Sequence, residues 1–176
     1  MTTPSPIQTT GGRRPRDLVL SLAVLLVPIG LVLLLFQYIG GDREVTVVDP
    51  APAIAEARAA GLPVAEPGKL PDGWKPTSAV TRIKDGTVTL RIGYVSPSGG
   101  FVQLVESNAD AAELLRDELG GGGRPDGVAE LGGRSWQTYP GRESERALVL
   151  TEPERTVIVL GRAPDEELRE LAAALR

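Results

Sequence analysis

The sequence predicts an α+β protein, with one N-terminal transmembrane helix followed by a single extracytoplasmic domain on a mainly antiparallel sheet. Three observations predict it. The run from Leu18 to Phe36 carries no charge and is apolar around its whole circumference. From Ser78 onward apolar and polar residues alternate with the period of a strand, and short turn sequences separate the runs. Around 109–119 and 165–175 the apolar spacing becomes helical, so the domain reads as two β-rich units, each closed by a helix.

Extended through Ile39, the apolar run gives about 22 residues, or about 33 Å of helix, enough for a hydrocarbon core of roughly 30 Å. Pro28 and Gly30 fall mid-span, a pair that membrane helices tolerate better than soluble ones. A cleaved signal peptide is the competing reading, but the run is longer than a signal core. Its exit, "FQYIGGDRE", also puts bulky Tyr38 and Ile39 where a peptidase needs small residues. The chain has no cysteine, which removes a lipid-modified N-terminal Cys. Arg13, Arg14 and Arg16 precede the span against Asp17 alone, so the positive-inside rule keeps the N-terminus in the cytoplasm. The expected organisation is a disordered cytoplasmic tail at 1–17, a transmembrane helix at 18–39 that crosses the plasma membrane once, a stalk at 40–51 and an extracytoplasmic domain at 52–176.

Within the domain, Pro52 suits a first helical turn and Gly61 a stop, which places a short helix between them. "LPVAEPGKLPDGWKP" carries prolines at 63, 67, 71 and 76 and reads as a loop. "AVTRI" and "TVTLRIGYV" flank a tight turn at Lys84-Asp85-Gly86, with Val88, Leu90, Ile92 and Tyr94 on one face. "SPSGG" turns the chain into "FVQLVES". Asn108 then serves as N-cap for a helix with Ala111, Leu114, Leu115 and Leu119 along one stripe. "VAEL" and "RSWQTY" form a hairpin about Gly132-Gly133, and "ALVLT" and "TVIVLG" another about 152–155. Pro164 opens the last helix, whose stripe is Leu168, Leu171, Ala172 and Leu175. Both closing helices are expected on one face of a common sheet.

Composition excludes whole function classes. The chain has no histidine, so imidazole metal ligands and Ser-His or Cys-His nucleophilic sites are out. Its formal net charge is −4, and the region beyond the anchor is more acidic still, which argues against nucleic-acid binding. Arg far exceeds Lys, and Ala, Gly and Pro are abundant, the signature of a high-GC bacterial genome.

The remaining motifs have bland readings. Gly120 to Gly123 follows a helix and lacks the Gly-Lys-Ser/Thr ending of a phosphate loop, so it is a linker. Asp165, Glu166 and Glu167 favour a helix N-terminus over calcium. Asp72 and Glu130 are isolated carboxylates, and Ser98, Ser135 and Ser144 lack a base. Trp74 and Trp136 are either core residues, the favoured reading, or a ligand-stacking pair.

"VTVVDPAPAIAEARAAGLPVAEPGKLPDGWKPTSAV" after a single basic-flanked span, with "LRIGYVSPSGGFVQLVES" and "GGRSWQTYPG" in the same order, resembles the actinobacterial family catalogued as domain of unknown function 4245. That resemblance implies a membrane-anchored protein and supplies no functional residue. A looser likeness in "LPDGW" and in the stretch from "VAELGGRSW" to "RELAAAL" is similar to extracytoplasmic domains of sigma-factor regulators and of envelope lipid-sensing proteins. It points towards regulation or binding. The expectation is a non-catalytic binding or regulatory module of the cell envelope, acting with an envelope protein partner. A carboxylate-dependent envelope hydrolase and a structural or assembly factor are the alternatives. No residue is assigned a catalytic, cofactor-binding or metal role, and no cofactor is expected.

Overall fold

The computed structural model describes residues 15–39, 46–120, 123–142 and 144–176. The chain divides into two compact units, Met1–Glu44 and Val45–Arg176. The first contains α1, Pro15–Ile39, with Pro28 inside it. Pro15 to Asp17, expected in the tail, are therefore helical. Pro15 suits the first helical position because its fixed φ is preorganised and its missing N–H would have no intrahelical partner there. Arg13, Arg14, Asp42, Arg43 and Glu44, which carry the orientation argument, lie outside the described residues. Among the described residues no helix is long and apolar enough to cross a membrane.

The second unit is α+β. Its elements are α2 (Ala51–Ala59), β1 (Lys75–Lys84), β2 (Thr87–Val95), β3 (Phe101–Ser107), α3 (Ala111–Leu119), β4 (Gly127–Leu131), β5 (Arg134–Pro140), β6 (Arg146–Thr151), β7 (Thr156–Gly161) and α4 (Asp165–Ala174). One seven-stranded sheet runs β1-β2-β3-β7-β6-β5-β4, every pair antiparallel. The two expected β-rich units thus fuse through β3 and β7, whose centrality explains why β7 is buried at every position.

Two-residue loops set the hairpins. Asp85 and Gly86 adopt φ of 51° and 81°, and Gly132 and Gly133 adopt 58° and 74°, the positive pair that a type I′ turn demands. Lys75 and Pro76, expected in a loop, open β1 instead. The strand lies at the sheet edge and has a bulge between Pro76 and Ser78, the setting in which a missing N–H is tolerated.

Two expectations at the helices are corrected. Asp110, not Asn108, caps α3, its Oδ1 accepting from the Glu113 N–H at 3.0 Å. Asn108 is instead taken by the sheet, its Oδ1 accepting from the Val88 N–H at 2.7 Å. The closing helices also lie on opposite faces. Leu168, Leu171 and Ala172 of α4 join Ala53, Ile54 and Ala57 of α2 over Val88, Leu90, Ile92, Leu104, Leu148 and Val159. Leu114 and Leu119 of α3 pack with Val105, Tyr139, Val149 and Ile158. Alternate residues of β3, β6 and β7 feed the two layers, which is why these strands read as nearly continuous apolar runs.

Candidate functional site

β3 carries the feature that stands out chemically. Val102 and Leu104 point into the layer beneath α2 and α4, and the next residue in that phase is Glu106, fully buried. Its Oε2 accepts from the Ala65 N–H at 3.0 Å and from Arg155 at 3.2 Å. Its Oε1 has no hydrogen-bond partner among the described residues. Burial pushes the Glu106 carboxyl up to about 7, and the Ala65 amide and Arg155 guanidinium pull it only partly back. Nearby burial, with the charges of Glu106 and Glu66, lifts Tyr94 to about 12.

Arg155 comes from the β6–β7 turn and is itself largely buried. Besides Glu106 it holds Glu152 Oε2 at 2.7 Å and donates to the Pro63 carbonyl. Glu152 stands 4.0 Å from Arg134. The Arg134 guanidinium donates to the Leu175 carbonyl and lies 5.8 Å from the centre of the Trp136 ring. The chain of groups ends at the Trp136 indole N–H, a buried donor that also lacks a partner among the described residues. Glu106 pairs with Val157, which pairs with Leu150, and Trp136 continues this row because Gln137 pairs with Val149.

The segment 62–68 closes the site. It buries Leu62, Val64 and Ala65, and its backbone supplies the Ala65 and Pro63 contacts. Its far end is tied to the chain terminus: the Gly68 N–H donates to Ala174, the Arg176 N–H donates to Glu66, and Pro67 bridges to Leu175. On its outer side Glu66 pairs with Arg58 of α2, both half-exposed. The result is an irregular strap laid over the Glu106 carboxyl.

The residues singled out from the sequence do not converge. Asp72 and Glu130 are both exposed, as are Ser98, Ser135 and Ser144. Asp165 turns to Arg169 at 2.7 Å, while Glu167 accepts from the Ser98 amide and hydroxyl, so the acidic run has no common focus. Gly121 and Gly122 of the glycine run lie outside the described residues. Trp136 is fully buried, a core residue. Trp74 is half-buried, edge-on to Tyr94, with its N–H donating to Glu170 at 2.9 Å. Elsewhere a polar cleft separates α3 from the β1–β2 hairpin, with Arg82 and Lys84 facing Glu113 and Asp117, and Arg91 bound to Glu118.

Sequence reasoning missed Glu106, Arg155 and Arg134. The signal for the first was present, since Glu106 occupies the inward phase set by Val102 and Leu104. No local signal marks the two arginines, which reach the site only through the β7–β6–β5 pairing.

A family described as Protein of unknown function (DUF4245) has a model that matches residues 11–175. The chain belongs to that family. The match takes in the α1 segment and every element of the second unit. A comparison with curated proteins gives no match.

Proposed function

We propose that the protein is a single-pass plasma-membrane protein, its N-terminus cytoplasmic, whose extracytoplasmic domain is a non-catalytic binding or regulatory module of the cell envelope. One observation carries the anchor. Leu22, Val24 to Val27, Ile29 and Leu31 to Leu35 of α1 are all exposed large apolar side chains, distributed around the whole helix. A helix apolar on every side needs an apolar medium, and a bilayer supplies one. The basic residues before the run support the stated orientation.

The domain's chemistry supports binding over hydrolysis. Carboxylate hydrolysis needs two acidic groups facing one bond across a solvent-reached cleft. Asp72 and Glu130 are separately exposed, and Glu106 is covered and engaged with Arg155. A reporter active only outside the cytoplasm, fused after Arg176, is expected to work, and a cytoplasm-only reporter at the same place is expected to be silent. Replacing Arg13, Arg14 and Arg16 by acids is expected to scramble that result. A working cytoplasmic reporter on the unaltered chain would refute the orientation. In-cell crosslinking from the domain surface is expected to recover an envelope protein, and hydrolysis of an envelope polymer by the purified domain would refute the binding reading.

A further inference from the structure

Three sides of Glu106 are fixed by the fold. Leu90 and Val157, its paired neighbours on β2 and β7, belong to the interior of a hydrogen-bonded sheet, and Leu104 precedes it on its own strand. The strap 62–68 is different, because it has no strand or helix of its own: its middle is held by the Ala65 and Pro63 contacts and its buried Leu62, Val64 and Ala65, and its far end by the chain terminus. Water can reach the carboxylate most cheaply by lifting the strap.

We propose that the strap 62–68 is a proton-controlled latch, closed over Glu106 when its carboxyl is neutral and released when Glu106 ionises. The geometry gives the sign. In the closed state one oxygen of the carboxylate has two donors and the other has none, far fewer than water offers an anion. Burying an ion costs several kcal/mol, and a single ion pair repays that only with full hydrogen bonding. Arg155 does not depend on Glu106 for compensation, because Glu152 and the Pro63 carbonyl hold it when Glu106 is neutral. The neutral carboxyl can still accept from the Ala65 N–H. Proton loss therefore disfavours the closed strap more than proton gain does.

The charged and titratable groups facing the site or its strap are Arg155, Glu152 and Glu154 from the β6–β7 turn, Arg134 from β5, Tyr94 from β2, Glu66 in the strap, Arg58 on α2 and Arg176 at the terminus. The chain has no histidine, and Glu106, raised to about 7, places the proton-linked step near neutrality. Release would uncover Leu62, Val64 and Ala65 together, turning a pH change into a newly exposed apolar strip. This inference does not depend on the membrane reading.

The test is hydrogen–deuterium exchange of the full-length chain in mild detergent at acidic and mildly alkaline pH, with rates corrected for the intrinsic pH dependence of amide exchange. Segment 60–70 is expected to open about ten-fold or more more often at the higher pH, with β3 and β7 unchanged. Glu106→Gln, which keeps the acceptor and removes the charge, is expected to give slow exchange at both values. A pH-independent or reversed response in the unaltered protein overturns the latch, and so does a folded Glu106→Gln variant that keeps the dependence. The chain has no cysteine, so Val64→Cys gives a second readout that leaves Glu106 intact. Its labelling rate, corrected for thiolate fraction, should rise with a midpoint near 7, and a flat profile overturns the proposal.

Discussion

Trp136 offers the sharpest test of how the sheet is stabilised, because two opposing effects meet on one ring. The side chain is fully buried beneath the α4 layer, yet its indole N–H has no partner among the described residues. Truncation to Ala removes the whole ring and leaves a cavity, a change that costs about 3–5 kcal/mol in well-packed cores. Loss of the Arg134 contact adds about 0.5–1 kcal/mol at most. Replacement by Phe is different. The missing ring edge leaves a void costing roughly 1 kcal/mol at about 24 cal/mol per Å³. Removing an unpaired buried donor returns about 1–3 kcal/mol. Trp136→Phe is therefore expected within about 1 kcal/mol of the unaltered domain. Guanidinium unfolding of the Val45–Arg176 unit, followed by circular dichroism, measures both variants. A Phe variant as unstable as the Ala variant would show that the indole nitrogen is satisfied in solution. An Ala variant losing less than about 1.5 kcal/mol would show that the ring is not core.

Three further outcomes are expected. At Gly161 an added Cβ would sit 2.2 Å from the Phe101 carbonyl oxygen and 2.9 Å from the Val102 Cα, so Gly161→Ala must push β7 off β3; urea unfolding should show a loss of about 1–3 kcal/mol or more. Leu171→Ala and Leu114→Ala should each cost about 2–5 kcal/mol, and Leu115→Ala clearly less, because Leu115 is only half-buried; equal losses at 114 and 115 would mean that α3 is rotated. Glu106, raised from 4.5 to about 7 by burial, contributes stability that is complete below about 4.5 and lost as the pH rises through about 7, a difference of roughly 3 kcal/mol. Thermal melts across that window should flatten in Glu106→Gln, and stability that instead rises through it would reverse the sign of the argument.

Local features of the fold were legible because their causes are local. Asp85-Gly86 and Gly132-Gly133 each require left-handed backbone at consecutive positions, and that requirement alone fixes two hairpins and their registers. The alternation in β2 named its buried face residue by residue, from Val88 to Tyr94. The pairing of β3 with β7 was not legible, since their partners lie some fifty residues apart and no turn links them. The face chosen by α3 was equally hidden: its stripe states that one side must be buried and is silent on which side of the sheet buries it. Asn108 shows the same limit at a single residue. As a cap it competes with Asp110 on nearly equal terms, and the contest is settled by the Val88 N–H at the start of β2, which needs the acceptor that Asn108 supplies.

Glu106 was legible in phase and unrecognised in meaning, and the reason bears on function. In a strand of alternating residues, a carboxylate in the inward phase usually signals a strand end reaching solvent, so the pattern FVQLVES invites that reading. Here the strand end does not reach solvent, because the strap crosses it and carries three buried apolar residues of its own. A core built for stability alone would place an apolar residue at 106 and satisfy every polar atom in that row of the sheet. Two atoms in the row, Glu106 Oε1 and Trp136 Nε1, go unpartnered among the described residues, with Val157 and Leu150 between them. The surrounding apolar layers offset that cost. Departures from local consistency of this kind concentrate where a protein acts, not where it merely folds. In this domain that departure lies at the strap and the Glu106 carboxyl beneath it, the two parts on which the proposed latch is built.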